Sequence, residues 1–456
     1  MKPWVKLSAA AAAVGLLAGG YFFAQSYRAE DLRKKMEGTQ MIKLIDATSE
    51  NLQRFSNSSG LAMERSGESW AVKSGLPLKI DQDEARGLAY SVTAVSANRV
   101  IEENPKELAP FGLEPPRATA RVEIKDKPAV EVSIGIKTPG NDQYYISIKG
   151  DPKVYTVNSY TAERLTARLE ELRDKKLPGY DPQAVKYLRL ASGPTTIEIE
   201  KAAKPEDMLA NLGLFQMTKP FKIPRGVDAE KFGALLESAK ALRVRSFVED
   251  RPKELSKYGL DKPAFDLFVQ TDKESLHLQV GKEASATSVY AKLGGSPEVF
   301  ILDDLRKDLA VKPFELGDRF ALIIDITKVE RMSLKGRGKA INAEIKRETV
   351  KDKDGKEETK ESYFVNGKPV EEKPFKEFYQ ACIGLAADAP NAGPAAGRAE
   401  TVIEYLLNAS VVKKASLELV PVNRDFYAAR RDGVAELLVS TRQVDAIFGS
   451  LGKLGF

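Results

Sequence analysis

Apolar positions along this chain recur in two alternating periods. Ala85, Leu88, Ala89, Val92 and Val95 stand at helical spacing behind Asp81, and Asp81 with Glu84 reads as a capping box at the helix start. Around that helix, residues 41–45, 69–72, 118–124 and 130–136 read as strands, the last two alternating at period two. Trp70 is expected to be buried. The whole block then returns. Phe232, Leu235, Leu236, Ala239 and Leu242 follow Asp228 with the same spacing, displaced by 147 residues from the first set. Residues 99–101 and 246–248 form a short apolar exit from each helix. Helices are expected to close the two blocks around 161–174 and 302–309.

The strongest repeat lies between helix and strands. Residues 105–116, PKELAPFGLEPP, return at 252–263 as PKELSKYGLDKP, with seven of twelve positions identical. Gly135 pairs with Gly281, Tyr145 with Tyr290, and Tyr155 with Phe300. A catalytic site rarely needs two copies in one chain, whereas a scaffold often does. A third, worn block starts at residues 329–334. Tyr363 stands where Trp70 stood, residues 375–385 are the helix, and Asp354-Gly355 is a hairpin turn. Residues 388–398 replace the Gly-Leu-x-x-Pro segment with a loop. Strands at 401–406, 415–420, 425–428 and 434–439 follow, with a last helix at 444–454.

This pattern predicts an α+β protein: tandem repeats of a mostly antiparallel sheet with packed helices, after an N-terminal transmembrane helix. The expected boundaries are 1–26 for a membrane anchor or signal segment and 27–40 for a stalk. Repeat units follow at 41–180 and 181–322, with a degenerate third at 323–456. Lys2 and Lys6 precede an uncharged stretch at 7–24, near the lower length limit for a spanning helix. That order fits an anchor or a cleavable signal; Tyr21-Phe22-Phe23 favours the anchor. The bulk of the chain is then expected outside the cytoplasm, on an inner membrane.

A length of 456 residues asks for two to four domains. The net charge of +5 is a small difference between 70 basic and 65 acidic residues, and no basic stripe with interleaved aromatics suggests nucleic acid. The one cysteine, Cys382, excludes an intrachain disulfide and a cysteine-rich metal site.

The ordered set Leu108, Gly112, Leu113, Pro116, Gly135, Tyr145, Val154 and Tyr155, with Leu255, Gly259, Leu260, Pro263, Gly281, Tyr290, Val299 and Phe300, resembles the family catalogued as domain of unknown function 4340. The resemblance covers residues 40–320 and fades beyond. It implies a bacterial protein that begins with a membrane span, with no established activity. It also implies a supporting role beside transport systems of the ABC type.

Candidate chemistry is sparse. His277 sits among alternating Leu276, Leu278 and Val280, so its ring points to the opposite, solvated face. Cys382 lies in an apolar stretch and reads as inert. Lys335-Gly-Arg-Gly-Lys339 lacks phosphate-loop spacing and reads as a turn. The acidic pairs Glu102-Glu103, Asp303-Asp304 and Asp352/Asp354 read as solvated loop charge. The Gly-Leu-x-x-Pro segment has two readings. Phe111 and Tyr258 could border a groove for peptide or glycan; alternatively Gly112 and Gly259 supply positive φ or close approach while Leu113 and Leu260 plug the core. The second is preferred. No catalytic residue, cofactor or metal is therefore assigned. The expected function is a non-catalytic envelope scaffold or binding module with protein partners. The alternative is an envelope enzyme acting on glycan or peptide through paired carboxylates.

Overall fold

The computed structural model describes residues 41–73, 78–140, 142–202, 214–351, 357–394, 396–409 and 412–456. The apolar stretch at 7–24 and the turn at Asp354-Gly355 lie outside the described residues. Among the described residues no helix is long and apolar enough to cross a membrane. The chain divides into two compact units, residues 1–175 and 176–456.

The fold is α+β and its sheets repeat one plan. In the second sheet the spatial order is Arg225–Gly226, Phe215–Lys219, Thr195–Lys201, Tyr187–Ser192, Phe265–Gln270, Ser275–Ser285, Ser288–Leu293, Val299–Asp303 and Ser246–Glu249. All neighbours are antiparallel. The helix Ala229–Ala241 leaves one edge strand and leads to the strand at the opposite edge. The first sheet, of eight strands, follows the same order without the outermost strand, and the third sheet has the same nine-strand order. In the first unit an extra strand, Ile42–Asp46, pairs with Ala94–Ala97.

Local chemistry accounts for these elements. Asp81 accepts hydrogen bonds from the backbone N–H groups of Asp83 and Glu84, and Asp228 from that of Lys231, which satisfies donors that a helix start leaves free. Hairpins Arg337-Gly338, Asn366-Gly367 and Asp432-Gly433 each place two successive residues at positive φ, the twist that suits a two-residue turn.

Each core lies between one sheet face and its helix. Ala85, Leu88, Ala89 and Val92 are fully buried over the first sheet beside Trp70 and Phe55. Phe232, Leu235, Leu236 and Ala239 do the same over the second, and Phe375, Phe378, Tyr379 and Cys382 over the third. Each buried large side chain contributes roughly 1.5–3 kcal/mol.

Several expectations need correction. Val95 lies in the strand Ala94–Ala97, and Leu242 caps its helix. Residues 99–101 and 246–248 belong to edge strands hydrogen-bonded to the last strand of each sheet. The expected helix at 161–174 is two short ones, Ser159–Leu165 and Leu169–Leu172, parted where Thr166 bonds back to Ala162 and Glu163. The expected helix at 302–309 is the end of a strand plus one turn, Arg306–Leu309. Within the expected loop at 388–398, Ala389–Pro390 pairs with Val434–Ser440.

Candidate functional site

Side chains alternate across a strand, so the residues between core positions face away from the helix. Most of the repeated signature lies on this far face, Tyr155 and Phe300 excepted. Ala109–Phe111 and Leu255–Tyr258 are short 3-10 turns, each ended by a glycine in the left-handed region, Gly112 at φ 66° and Gly259 at φ 67°. The arm then crosses a strand at close range. A Cβ on Gly135 would stand 2.1 Å from the Phe111 carbonyl oxygen, and one on Gly281 2.2 Å from that of Tyr258. Only glycine on the strand permits that approach.

The rest of the signature packs the crossing. Leu113 and Leu260 are buried, 4% and 3% exposed. Leu260 joins Tyr258 and Val299 in a small cluster, with Leu255 and Tyr290 packed against it, apart from the main core. Phe111 meets Tyr145 edge-on at 5.1 Å, as Tyr258 meets Tyr290 at 5.0 Å. Leu108 receives the Leu113 backbone N–H, and Leu255 that of Leu260. Pro116 and Pro263 are half-buried just before Ala118–Ile124 and Phe265–Gln270. Tyr155 faces the main core and donates its hydroxyl to Asp151 at 2.6 Å; burial and that bond push it up to about 12.

The far face of the first sheet carries a chain of opposite charges. Lys73 pairs with Glu64, Glu64 with Arg54, Arg54 with Glu123, Glu123 with Arg121, Arg121 with Glu131, and Glu131 with Lys149, at 2.6 to 3.6 Å. Pairs this exposed are screened by solvent and stabilise little one by one. The ladder keeps a sheet face without helix cover wet.

On the second sheet the far face holds His277. Its Nε2 lies 3.2 Å from both Asp266 carboxylate oxygens, while Arg189 and Gln279 donate to the same carboxylate at 2.8 and 2.9 Å. Burial opposes the Asp266 charge, but the bonds from Gln279 and His277 and the Arg189 charge hold it below the usual carboxylate range. Burial pushes the neighbouring Lys292 ammonium down. Lys292 donates to the Gln279 amide oxygen and to the Leu293 carbonyl, both at 3.1 Å, and no hydroxyl or thiol nucleophile takes part in these bonds. Cys382 is fully buried, which pushes its thiol far up. Asp303 pairs with Arg245, Asp304 with Arg306, and Glu103 with Lys153. Asp352 and Asp354 lie outside the described residues. Among the described residues no group of three or more His, Cys, Asp or Glu side chains could hold a metal ion.

Sequence reasoning missed two sites. Arg337, in the Gly-Arg-Gly turn, donates to Glu400, Asp445 and Tyr427 at 2.6 to 2.9 Å and lies 5.0 Å over the Phe448 ring. It ties the last helix, Thr441–Lys453, to the third sheet. A lone turn arginine gives no signal of this.

The other missed site is a cavity inside the second unit, where the second and third sheets are joined. Residues 317–323 are stitched to both: Val227 bridges Gly317, and Phe320 bridges Ala386. Beside this strap lies a cavity of about 360 Å³ lined by Arg225, Asp318, Phe320, Arg431 and Glu436. Arg225 donates to the Phe320 carbonyl at 3.3 Å and stacks over Phe221 at 4.9 Å. Glu436 accepts the Lys222 backbone N–H at 2.7 Å. Burial pushes the Asp318 carboxyl up against the pull of Arg225, and pushes Arg225 down against that of Asp318 and Glu436. Lys414, Ala415, Ser416 and Asp432 also line a second hollow of about 720 Å³, on the far face of the third sheet, with Arg331, Ser333, Asn342, Glu344 and Glu404. The two hollows share these four residues, and the walls of each carry both charge signs.

Fold and site together define a tandem sheet-and-helix protein whose duplicated signature packs the far faces of its sheets. The chain belongs to the family described as Domain of unknown function (DUF4340), which matches it twice, over residues 70–224 and 216–381. Both matches begin in the third strand of a sheet, so the family's period is out of phase with the sheets. No curated protein and no solved structure matches the chain significantly.

Proposed function

We propose that this protein is a non-catalytic binding scaffold of the bacterial envelope, anchored in the inner membrane through residues 7–24, with its bulk outside the cytoplasm. Its place is beside a transport or surface-assembly complex of the ABC type, in line with the resemblance of its signature. The observation that carries the reading is the groove of the second unit. It combines two neighbouring hollows of about 360 and 720 Å³, which share four lining residues, with charges of both signs and with hydroxyl and amide side chains, a surface suited to an extended polypeptide.

Purification of the tagged full chain from detergent-solubilised membranes tests this. A protein partner is expected to co-purify, and Glu404→Arg with Ser416→Trp in the groove is expected to release it while the thermal melt is retained. Recovery of the chain alone, or a partner indifferent to both substitutions, overturns the reading.

The enzyme alternative has one observation in its favour: Asp318 and Glu436 line one cavity, and burial raises Asp318. Arg225 and Arg431 in the same cavity set a cation against each carboxylate, which favours recognition over proton transfer. Turnover of a peptidoglycan fragment that vanishes in Asp318→Asn and Glu436→Gln would reverse that preference.

A further inference from the structure

The helical layer of the first unit carries an aromatic patch with no role in the packing of the core. Tyr90 on the helix Gln82–Thr93 is 68% exposed, and Tyr160 on the helix Ser159–Leu165 is 62% exposed. They flank one contact, since the Tyr160 hydroxyl lies 3.3 Å from the Ser91 hydroxyl. Arg164, one turn beyond Tyr160, extends its guanidinium over Gly87, where a Cβ would meet Nη2 at 3.9 Å. Its Nε is buried without a hydrogen-bond partner among the described residues, and it forms no ion pair among them. Among the described residues large exposed aromatics are rare, and here two stand together beside a cation.

The path of the chain says what this patch faces. The described residues begin at Met41, itself 58% exposed, just before the strand Ile42–Asp46. That strand lies against Ala94–Ala97, the continuation of the Tyr90 helix, with Ile42 opposite Ala97 and the Ala47 N–H bonded to the Thr93 carbonyl. Asn98 in turn bonds to Thr156, on the strand that leads directly into the Tyr160 helix. The chain therefore enters the fold at the Ala97–Asn98 end of this pairing, on strands continuous with the two helices that carry the tyrosines. Sixteen residues, 25–40, separate the apolar stretch from Met41, a reach of about 55 Å at full extension.

We propose that Tyr90 and Tyr160 seat the first unit on the headgroup layer of the lipid bilayer. The tyrosine rings would enter the interface and keep their hydroxyls wet, and Arg164 would meet lipid phosphate. This rests on the anchored reading above. It deepens that reading by giving the first unit a fixed face toward the membrane instead of free motion on its tether.

The test uses the full chain reconstituted in phosphatidylcholine–phosphatidylglycerol vesicles. Cys382 is fully buried, so a cysteine introduced at the surface takes an environment-sensitive NBD label selectively. Arg86→Cys places the label one turn from Tyr90 and leaves both tyrosines in place. Glu107→Cys places it on the arm of the opposite sheet face. Nitroxide lipids labelled near the headgroup are expected to quench most of the emission at 86 and little at 107. Adding Tyr90→Ser with Tyr160→Ser is expected to abolish the quenching at 86; both positions are exposed, so the fold is retained. Equal quenching at the two labels, or quenching that survives the double substitution, overturns the proposal. Vesicle flotation separates the two readings: a chain that does not float refutes the anchor, whereas one that floats unquenched refutes only the seating.

Discussion

The second and third sheets share a strand order but close their far faces with opposite distributions of bulk. In the second, the strand supplies the glycine, Gly281, and the arm supplies Tyr258 and Leu260. In the third, the strand register sets Val420 where Gly281 stands and Ala428 where Tyr290 stands. The loop there supplies the glycine instead: a Cβ on Gly397 would lie 3.1 Å from Val420 Cγ1, and Arg430 donates to the Gly397 carbonyl. The crossing needs one residue without a side chain, and either partner can provide it. Loss of the Gly-Leu-x-x-Pro segment in the third block thus comes with an exchange of large for small across the same contact.

Substitution at the two glycines should separate these solutions most widely. Gly281→Ala drives a methyl into a backbone carbonyl, which cannot move without shifting the arm, and is expected to cost about 3 kcal/mol. Gly397→Ala meets only the tip of a valine and is expected to cost about 1 kcal/mol or less. Thermal melts of the two variants check this, and equal losses would break the comparison.

The sequence was most legible where local rules act alone. Asp81 and Asp228 as caps, the helix faces behind them and the antiparallel strands follow from spacing and turn chemistry. The two signature segments were legible because the chain carries them twice. Pairings that join distant segments were not. Arg99–Glu102 reads as a helix exit because its four residues become a strand only through the partner at the sheet edge. Arg225 and Asp318 lie far apart in sequence and look like ordinary surface charges, since nothing local says that the strap at 317–323 will carry one to the other. The run at 161–174 keeps an apolar period through Ala162, Leu165, Leu169 and Leu172, so its break at Thr166 is invisible to periodicity.

The joint between the sheets and the far face of the second sheet treat an arginine differently, and their truncations should differ accordingly. Arg225 is packed over Phe221 beside two carboxylates in a cavity, so Arg225→Met is expected to cost about 2–3 kcal/mol by leaving those charges short of a cation. Part of that should return with Asp318→Asn, a coupling of about 1 kcal/mol. Arg189 is partly exposed, and the half-buried Asp266 it pairs with keeps its bonds from His277 and Gln279, so Arg189→Met is expected to cost about 1 kcal/mol or less. Urea denaturation of the four variants provides the cycle. Coupling absent at Asp318 would mean that Arg225 serves the cavity by packing alone.

The smallest expected effect depends on pH and has opposite signs in the two regions. At the edge of the second sheet, hydrogen bonds and charge from Arg306 lower Asp304 to about 2. Its stabilisation is present above the unfolded carboxylate value near ~4 and is lost as pH falls from there toward 2. Asp304→Asn should therefore cost about 1 kcal/mol at pH 7, after allowance for screening by solvent, and nothing near pH 2. Burial raises Asp318 in the joint, so its contribution is complete below the unfolded value and lost as pH rises through the folded one. Asp318→Asn should match the wild type in acid and equal or exceed it at pH 7. Urea midpoints at pH 7, 4 and 2.5 decide the point. Parallel pH profiles for the two variants would show that the joint does not withhold water from its carboxylate, and would remove the physical distinction between the packed cavity and the open sheet face.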